Sequence, residues 1–312
     1  EFEYLVLSDD FSRQGALRFL DAEGQVITGH HAAVPRLVDL EEITRLARAY
    51  EQGLELSEQD LRALVGAGGS LGGARPKANV RDGDTLWLAK FTSVHDSKPI
   101  ERVEIATLKL AEVCGIRIPE ARLVLQDTPY PVALLRRFDR RGAARIPYVS
   151  ARTALGKTGD APGSYTEIAD FIRAWSGDPA ADLRQLYLRL VFTILVSNKD
   201  DHLKNHGFLY VGRDRWRLSP VFDVNPAPDR NPHLETAILE DGSNERSIVL
   251  ALEASEFFGL PSAAAKALVR ETADKITALW RDTFRQHGLT AQQARDYEPA
   301  IVNNETATAQ SL

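Results

Sequence analysis

The chain has 312 residues, 44% of them hydrophobic and 26% charged, with a net charge of −6 and a pI near 5.7. That length is enough for two units with their own cores, and the acidic balance argues against a chain that binds nucleic acid throughout. One cysteine, Cys114, excludes an internal disulfide, and the longest apolar run, Leu188 to Val196, contains Arg189 and is too short to span a bilayer.

The start, Glu1-Phe2-Glu3-Tyr4, is unlike a signal peptide. These features together predict a cytoplasmic protein without a membrane partner. The count of zero Met points to a fragment, or to modified Met residues missing from the written chain.

Short strands are expected at 4–7 and 16–20. Leu37 to Tyr50 carries Leu40, Ile43 and Leu46 at helical spacing. Ser57 precedes Glu58-Gln59-Asp60 as an N-cap does, and that helix should stop at Gly66, Gly68 and Gly69. Ala78 to Arg81 and Thr85 to Thr92, joined by Asp82-Gly83-Asp84, read as a hairpin. Val103, Ala106, Leu110 and Val113 mark a helix from about Ile100 to Cys114. Ala121 to Gln126 and Pro131 to Phe138 read as a strand pair.

After Arg140-Arg141-Gly142 helical patterns dominate: Tyr165 to Trp175, Asp182 to Ser197, and Ser262 to His287 with Ser262 as N-cap and Gly288 beyond the end. One hairpin interrupts them, His206 to Val211 and Arg215 to Leu218. The division expected is a strand-rich lobe over 1–140 and a helical lobe over 141–312.

Four constellations carry chemistry. The first is Asp200 and Asn205, then the hairpin, then Asp223 in Ser219-Pro220-Val221-Phe222-Asp223. Phosphoryl transfer needs a carboxylate to orient the attacking hydroxyl and oxygen ligands to hold Mg²⁺. Asp200 suits the base, and Asn205 and Asp223 suit the metal. Helix capping by the same residues is the structural alternative, which the hairpin and the second Asp make the weaker one.

The second is the run from Gly66 to Lys77, including Ser70, Gly72, Gly73 and Ala74. Its glycines would let backbone N–H groups approach phosphate oxygens. It fits neither G-x-x-x-x-G-K-[ST] nor G-x-G-x-x-G, so by itself it is equally a plain connecting loop. The third is Lys90 in an apolar strand, with Glu104 on the next helix as its carboxylate and Glu101 as second choice. The fourth is Arg136-Arg137-Phe138-Asp139-Arg140, either a nucleotide-contacting hinge or a salt-bridged connector.

Together these residues resemble the HipA family of bacterial toxin kinases, over nearly the whole chain. The family's S-x-x-G-A-x-x-K loop is matched by Ser70, Gly73, Ala74 and Lys77. Its T-D-x-H-x-x-N segment is matched by Asp200, His202 and Asn205, and its [ST]-P-x-[FY]-D motif by Ser219 to Asp223. R-F-D-R is matched by Arg137 to Arg140.

The resemblance implies an α+β, bilobed protein-kinase-like fold, with a strand-rich N-lobe and a helical C-lobe, that transfers the ATP γ-phosphate to Ser or Thr. Asp200 corresponds to the base, Asn205 and Asp223 to Mg²⁺ ligands, and Lys90 to the ATP-phosphate lysine. His202, Phe138 and Asp139 correspond to nucleotide contacts, and Ser70 to an autophosphorylated serine that switches the kinase off. The implied partners are a HipB-like helix-turn-helix antitoxin, DNA only through that antitoxin, and a protein substrate of the aminoacyl-tRNA synthetase class.

Lys199 departs from the family where Thr is frequent, and Arg136 where some members carry Glu. A further N-terminal subdomain common in the family is expected to be missing. Two other classes compete. One is a pseudokinase that binds ATP without transfer. The other is a metal-dependent phosphoesterase built on Asp200, Asp201, His202 and His206.

Overall fold

A computed structural model describes residues 9–27, 34–67, 75–159, 161–229 and 231–312. The chain forms two compact units. The first comprises residues 1–101 and 119–148, the second residues 102–118 and 149–312. A single cut at 140 and 141 does not capture this grouping, because residues 102–118 belong with the helical unit. The reason lies in their anchors. Arg102 Nη1 donates to the His287 carbonyl at 3.2 Å, and Arg117 pairs with Asp182 at 2.6 Å.

In the first unit, β1 (Lys77–Asp82), β2 (Thr85–Phe91), β3 (Ala121–Val124) and β4 (Val132–Arg136) form an antiparallel sheet in the order β1-β2-β4-β3. Gly83 takes φ +57° in the β1–β2 turn, a conformation glycine adopts without strain. Helix α1 (Leu40–Glu51) lays Leu40 and Ile43 against Ala78, Val80, Trp87, Ala89, Phe91, Val132 and Leu134. Fully burying side chains of this kind stabilises the unit by roughly 1.5–3 kcal/mol each. Helix α2 (Glu58–Ala67) starts at Ser57, whose Oγ accepts from the Asp60 N–H at 3.2 Å.

The strand expected at 16–20 does not form. Leu20 and Val26 make one isolated bridge around a turn at Gly24. Three arginines hold the backbone of this stretch instead. Arg137 reaches the carbonyl of Ser12, Arg140 that of Arg13, and Arg145 that of Gly15. Within 16–20 itself, Arg145 also reaches the Leu17 carbonyl at 3.3 Å, and the Phe19 carbonyl accepts from the Ile27 N–H, so these groups are engaged outside any sheet ladder. The strand expected at 4–7 lies outside the described residues.

Helix α3 (Ile100–Val113) follows, and two-residue strands β5 (Arg140–Arg141) and β6 (Ala144–Arg145) close the first unit's connector. The second unit holds a three-stranded sheet of β7 (Tyr148–Ser150), β8 (Gly207–Gly212) and β9 (Arg215–Leu218), with the short α4 (Ala151–Ala154) after β7.

Helix α5 (Tyr165–Trp175) has a reciprocal cap, in which Ser164 Oγ accepts from the Glu167 N–H and Glu167 accepts from the Ser164 N–H. Helix α6 (Pro179–Leu195) begins before the expected 182, because Asp178 caps it and Pro179 is preset for a first turn. Then come α7 (Ile248–Glu253) and α8 (Ser262–Gln286). Pro261, not Ser262, occupies the N-cap of α8, and no side chain closes it. Gly288 takes φ +83°, and a Cβ there would strike Arg102.

Helices α9 (Ala291–Ile301) and α10 (Asn304–Gln310) are additions that the sequence pattern did not reveal. Pro299 and a run of small polar residues obscure their periodicity.

Candidate active site

Helix α6 ends at Leu195, and the following segment turns sharply, with Ser197 at φ +55°. The turn is braced from a distant element, since Ser197 Oγ donates to the Ala300 carbonyl at 2.7 Å. Asp200 emerges exposed from this turn. Asn205, at the end of a single 3₁₀ turn (Leu203–Asn205), folds back so that its Nδ2 donates to the Asp200 carbonyl at 3.0 Å. Its backbone N–H donates to the His202 carbonyl at 2.8 Å. The D-x-x-x-x-N spacing is therefore a closed loop, with Asp200 pointing outward and Asn205 buried.

Asp201 does the opposite of its neighbour. Its carboxylate is buried, accepts from the Tyr165 hydroxyl and lies 3.1 Å from His206 Nε2, while its carbonyl accepts from Thr236 Oγ1 at 2.7 Å. Burial pushes the Asp201 carboxyl up, but His206, Tyr165 and Arg189 outweigh this and hold it below the usual carboxylate range. Arg189 is itself fully buried on α6 and donates to the Ser219 carbonyl. This scaffold of Tyr165, Arg189, Asp201 and His206 was not recognised from sequence. The adjacency of two aspartates was the only signal.

The β8–β9 hairpin returns the chain to where it left. Phe208 pairs with Leu218, and the Ser219 N–H donates to the Gly207 carbonyl at 2.8 Å. Asn205 thus lies two residues before this closing bond and Asp223 four residues after it. Asp223 takes φ +59°, unusual for a residue with a side chain. The next residues fasten to the segment that carries Asp200. The Asn225 N–H donates to Asn198 Oδ1 at 3.1 Å, and the Ala227 N–H to the Ser197 carbonyl at 3.0 Å.

Asp223 and Asn205 supply a carboxylate and an amide oxygen, the hard donors Mg²⁺ prefers. Asn205 spends its NH₂ on Asp200, so its acceptor end is the one that bond leaves unused. Close to Asp223, Asn225 Oδ1 is buried with no hydrogen-bond partner among the described residues, as is Nδ1 of His202. Buried polar atoms seldom lack partners without a functional reason. These residues fit a hydrated divalent ion. No group of three His, Cys, Asp or Glu side chains that could hold a metal occurs among the described residues.

In the first unit, Lys90 lies buried on β2 between Ala89 and Phe91, both of which face the core. Alternation places it on the other face, with its register partners Lys77 and Ala133. Two lysines opposite one another repel, a cost that anionic groups offset. Glu104 is buried on α3, in the part of that helix belonging to the second unit. The second-choice carboxylate, Glu101, is engaged elsewhere, accepting from Arg75 at 2.7 Å and from Thr92 at 3.0 Å. Arg75 also makes a two-bond fork to Asp96 at 2.7 and 2.5 Å. That anchor just after the glycine run was another unrecognised feature. Ser70, Gly72, Gly73 and Ala74 lie outside the described residues.

Phe138 is half-buried, 6.1 Å from the Tyr148 ring. Asp139 is buried and enclosed by Arg137 at 2.5 Å, Arg140 at 2.8 Å and the Gly15 N–H at 2.7 Å. Burial raises its carboxyl, and the two guanidiniums more than reverse this, leaving it below its ordinary range. Gly15 takes φ +69°, and a Cβ would meet the Tyr148 backbone at 3.1 Å, so glycine is required for the contact. Asp139 as placed is the hub of a salt-bridged connector, and its carboxylate is fully engaged there.

A strand lysine in one unit, and an Asp–Asn loop with a hairpin-returned Asp in a helical unit, belong to a protein-kinase-like α+β fold. The chain is a member of the HipA-like family, for the HipA-like C-terminal domain matches residues 69–280. A protein of Sinorhizobium fredii named "Putative kinase Y4dM" is 25% identical over 242 residues, covering 68% of this chain and 58% of its own length. A "Putative kinase" of Haemophilus influenzae is 28% identical over 143 residues, covering 40% of this chain and 42% of its own. The chain therefore spans about half the length of these curated relatives.

Among solved structures, HipA of Shewanella oneidensis, in a complex with HipB and operator DNA, superposes with a TM-score of 0.62 at 18% identity. The match covers 78% of this chain and 63% of that one. It bears on the fold. No helix among the described residues is long and apolar enough to cross a membrane.

Proposed function

We propose that the chain is a Mg²⁺- and ATP-dependent serine/threonine protein kinase, the toxin partner of a HipB-like antitoxin. The observation that carries this reading is the closed Asp200–Asn205 loop followed by the hairpin that brings the chain back to Asp223. Asp200, exposed and free to meet a substrate hydroxyl, orients that hydroxyl and accepts its proton. Asn205 and Asp223 hold Mg²⁺, which neutralises charge on the phosphates when bound. Lys90 binds phosphate oxygens, with Glu104 assigned to hold it, and His202 and Phe138 contact the nucleotide.

Family membership and the kinase names of the matched relatives support the reading. The antitoxin assignment rests on the Shewanella complex, in which the HipA chain is accompanied by HipB and DNA. By the family resemblance the substrate is a protein, for which the aminoacyl-tRNA synthetases associated with relatives are the candidates to test first, and the composition of the chain favours the cytoplasm as the setting.

Ser70 is assigned as the autophosphorylation site. A phosphate there adds roughly two negative charges beside groups meant for ATP's own phosphates, which disfavours ATP binding. The phosphoesterase alternative is weakened because Asp201 and His206 bind each other within a buried scaffold.

The test is incubation with Mg²⁺ and γ-labelled ATP, followed by phosphosite mapping, with Asp200→Asn alongside. Label on Ser70 that vanishes in Asp200→Asn is the expected result. Phosphate release from a phosphomonoester without ATP, undiminished by Lys90→Ala, would favour the hydrolase.

A further inference from the structure

The residue before Asp200 is Lys199, whose side chain is only 9% exposed although it carries a charge. Its Nζ donates to the carboxylate of Asp229 and, at 2.6 Å, to the carbonyl of the same residue. Asp229 lies six residues past Asp223. Around it, the chain is fastened to the catalytic segment at 225–227 and again at 235–236. Asn225 bonds Asn198, Ala227 bonds Ser197, the Glu235 N–H donates to the Lys199 carbonyl at 3.0 Å, and Thr236 bonds the Asp201 carbonyl. Between Ala227 and Glu235, the bonds to the catalytic segment among the described residues are those of Lys199. The Asp229 carboxylate also accepts from the Asn231 N–H at 2.9 Å, closing a local turn, and Arg246 is near enough to feel its charge.

In kinases that are switched by phosphorylation, the segment after the metal-binding Asp is ordered when a basic residue pairs with an added phosphate. Here the basic residue precedes the base directly, and an aspartate already present in the chain supplies the anion. We infer that Lys199 is a positioning residue that holds segment 225–236 permanently against the catalytic segment through Asp229, so that no phosphate on that segment is needed for activity. The functional half of this inference rests on the kinase reading. The ordering half does not. A fully exposed ion pair would contribute little; here the Asp229 side chain is 60% exposed, but Lys199 is largely covered and both of its bonds end on that single residue, which makes the contact directional.

The experiment uses the full chain in four forms: unmodified, Lys199→Ala, Asp229→Asn and Lys199→Arg. Asn at 229 keeps the acceptor for the local turn and removes the charge. Hydrogen exchange is followed in peptides covering 225–236. Lys199→Ala should raise exchange there about tenfold, as expected for loss of a charge-assisted contact. Asp229→Asn should raise it less, Lys199→Arg should restore protection, and peptides from α8 should be unchanged. Unchanged exchange in 225–236, or a rise spread evenly over the second unit, would overturn the inference.

Self-labelling from γ-labelled ATP is measured on the same samples. Lys199→Ala should lower kcat about tenfold, with KM for ATP within about twofold. A raised KM for ATP at unchanged kcat would instead make Lys199 a nucleotide contact. If the unmodified protein takes no label, the kinase reading fails, and exchange alone still decides whether Lys199 orders the segment.

Discussion

Two aspartates from the diagnostic motifs, Asp139 in the first unit and Asp200 in the second, have opposite surroundings. Asp139 is buried, with its oxygens taken by two arginines and a glycine N–H. Asp200 is exposed, and among the described residues only its backbone carbonyl is engaged, by Asn205. Immediately beside Asp200, Asp201 is also buried and engaged, by a tyrosine and a histidine, with the charge of buried Arg189 nearby. A motif aspartate can therefore be buried and fully engaged or exposed with its carboxylate unspent, and burial together with the number of donors separates the two. In the kinase reading proposed above, the buried aspartates would let the backbone present Asp200 without spending its own oxygens.

The comparison breaks most sharply at Asp200. Asp200→Asn should lower phosphoryl transfer by about 10²–10⁴-fold, the range for a positioned acid–base group. The urea midpoint should stay where it is, because the side chain is exposed. A shifted midpoint would place Asp200 among the scaffold residues.

Asp201→Ala should have the reverse profile. It leaves buried His206 and the Tyr165 hydroxyl without their carboxylate and removes the negative charge near buried Arg189, and breaking a buried group of this kind typically costs about 3–5 kcal/mol. Urea denaturation of the second unit measures this. A loss below about 1 kcal/mol, the range of exposed ion pairs, would deny the scaffold role.

Asp139→Ala is the sharpest test of the connector. Loss of the carboxylate between Arg137 and Arg140 should destabilise the first unit by roughly 3 kcal/mol. A variant that keeps its stability and loses ATP affinity would return Asp139 to nucleotide contact.

Acid sensitivity follows with a smaller amplitude. Asp139, Asp182 and Asp201 all have folded pKa values below their ordinary ones. Groups shifted in this direction contribute stability that is fully present above the unfolded value, near 3.9, and is lost as pH falls through the lowered folded values. Stability should therefore hold between pH 5 and 7 on account of these groups and fall below about pH 4. The fall should be shallower in Asp139→Asn, as urea midpoints across that range would show. At the other extreme, Arg62→Ala removes an exposed pair with Glu58, and should change stability by less than about 0.5 kcal/mol.

Much of the fold was legible because local rules agreed with the tertiary outcome. The spacing of Leu40, Ile43 and Leu46, the Asp82-Gly83-Asp84 turn and the Ser57 cap each produced the element they predicted. Stretch 16–20 misled, because its partners come from elsewhere: Arg145, more than 100 residues later, takes the Leu17 carbonyl, and Leu20 makes a single isolated bridge to Val26. The start of α8 misled more locally, since Pro261 rather than Ser262 holds the cap position. Helices α9 and α10 were unreadable because their apolar faces are short, and become meaningful only against α8. There Tyr297 lies 6.1 Å from Phe284.

The sequence by itself determined the order of chemical groups: a strand lysine, a D-x-x-x-x-N segment, a hairpin and an aspartate. Spacing of that kind is carried by covalent connectivity and by turns a few residues long. What each group does in the fold was decided elsewhere. Only the tertiary structure made Asp139 and Asp201 buried counter-ions, left Asp200 exposed, tied Ser197 to Ala300 and paired Lys199 with Asp229. Burial and charge pairing depend on contacts between residues distant in the chain, and no local pattern encodes which of two adjacent aspartates will lose its water.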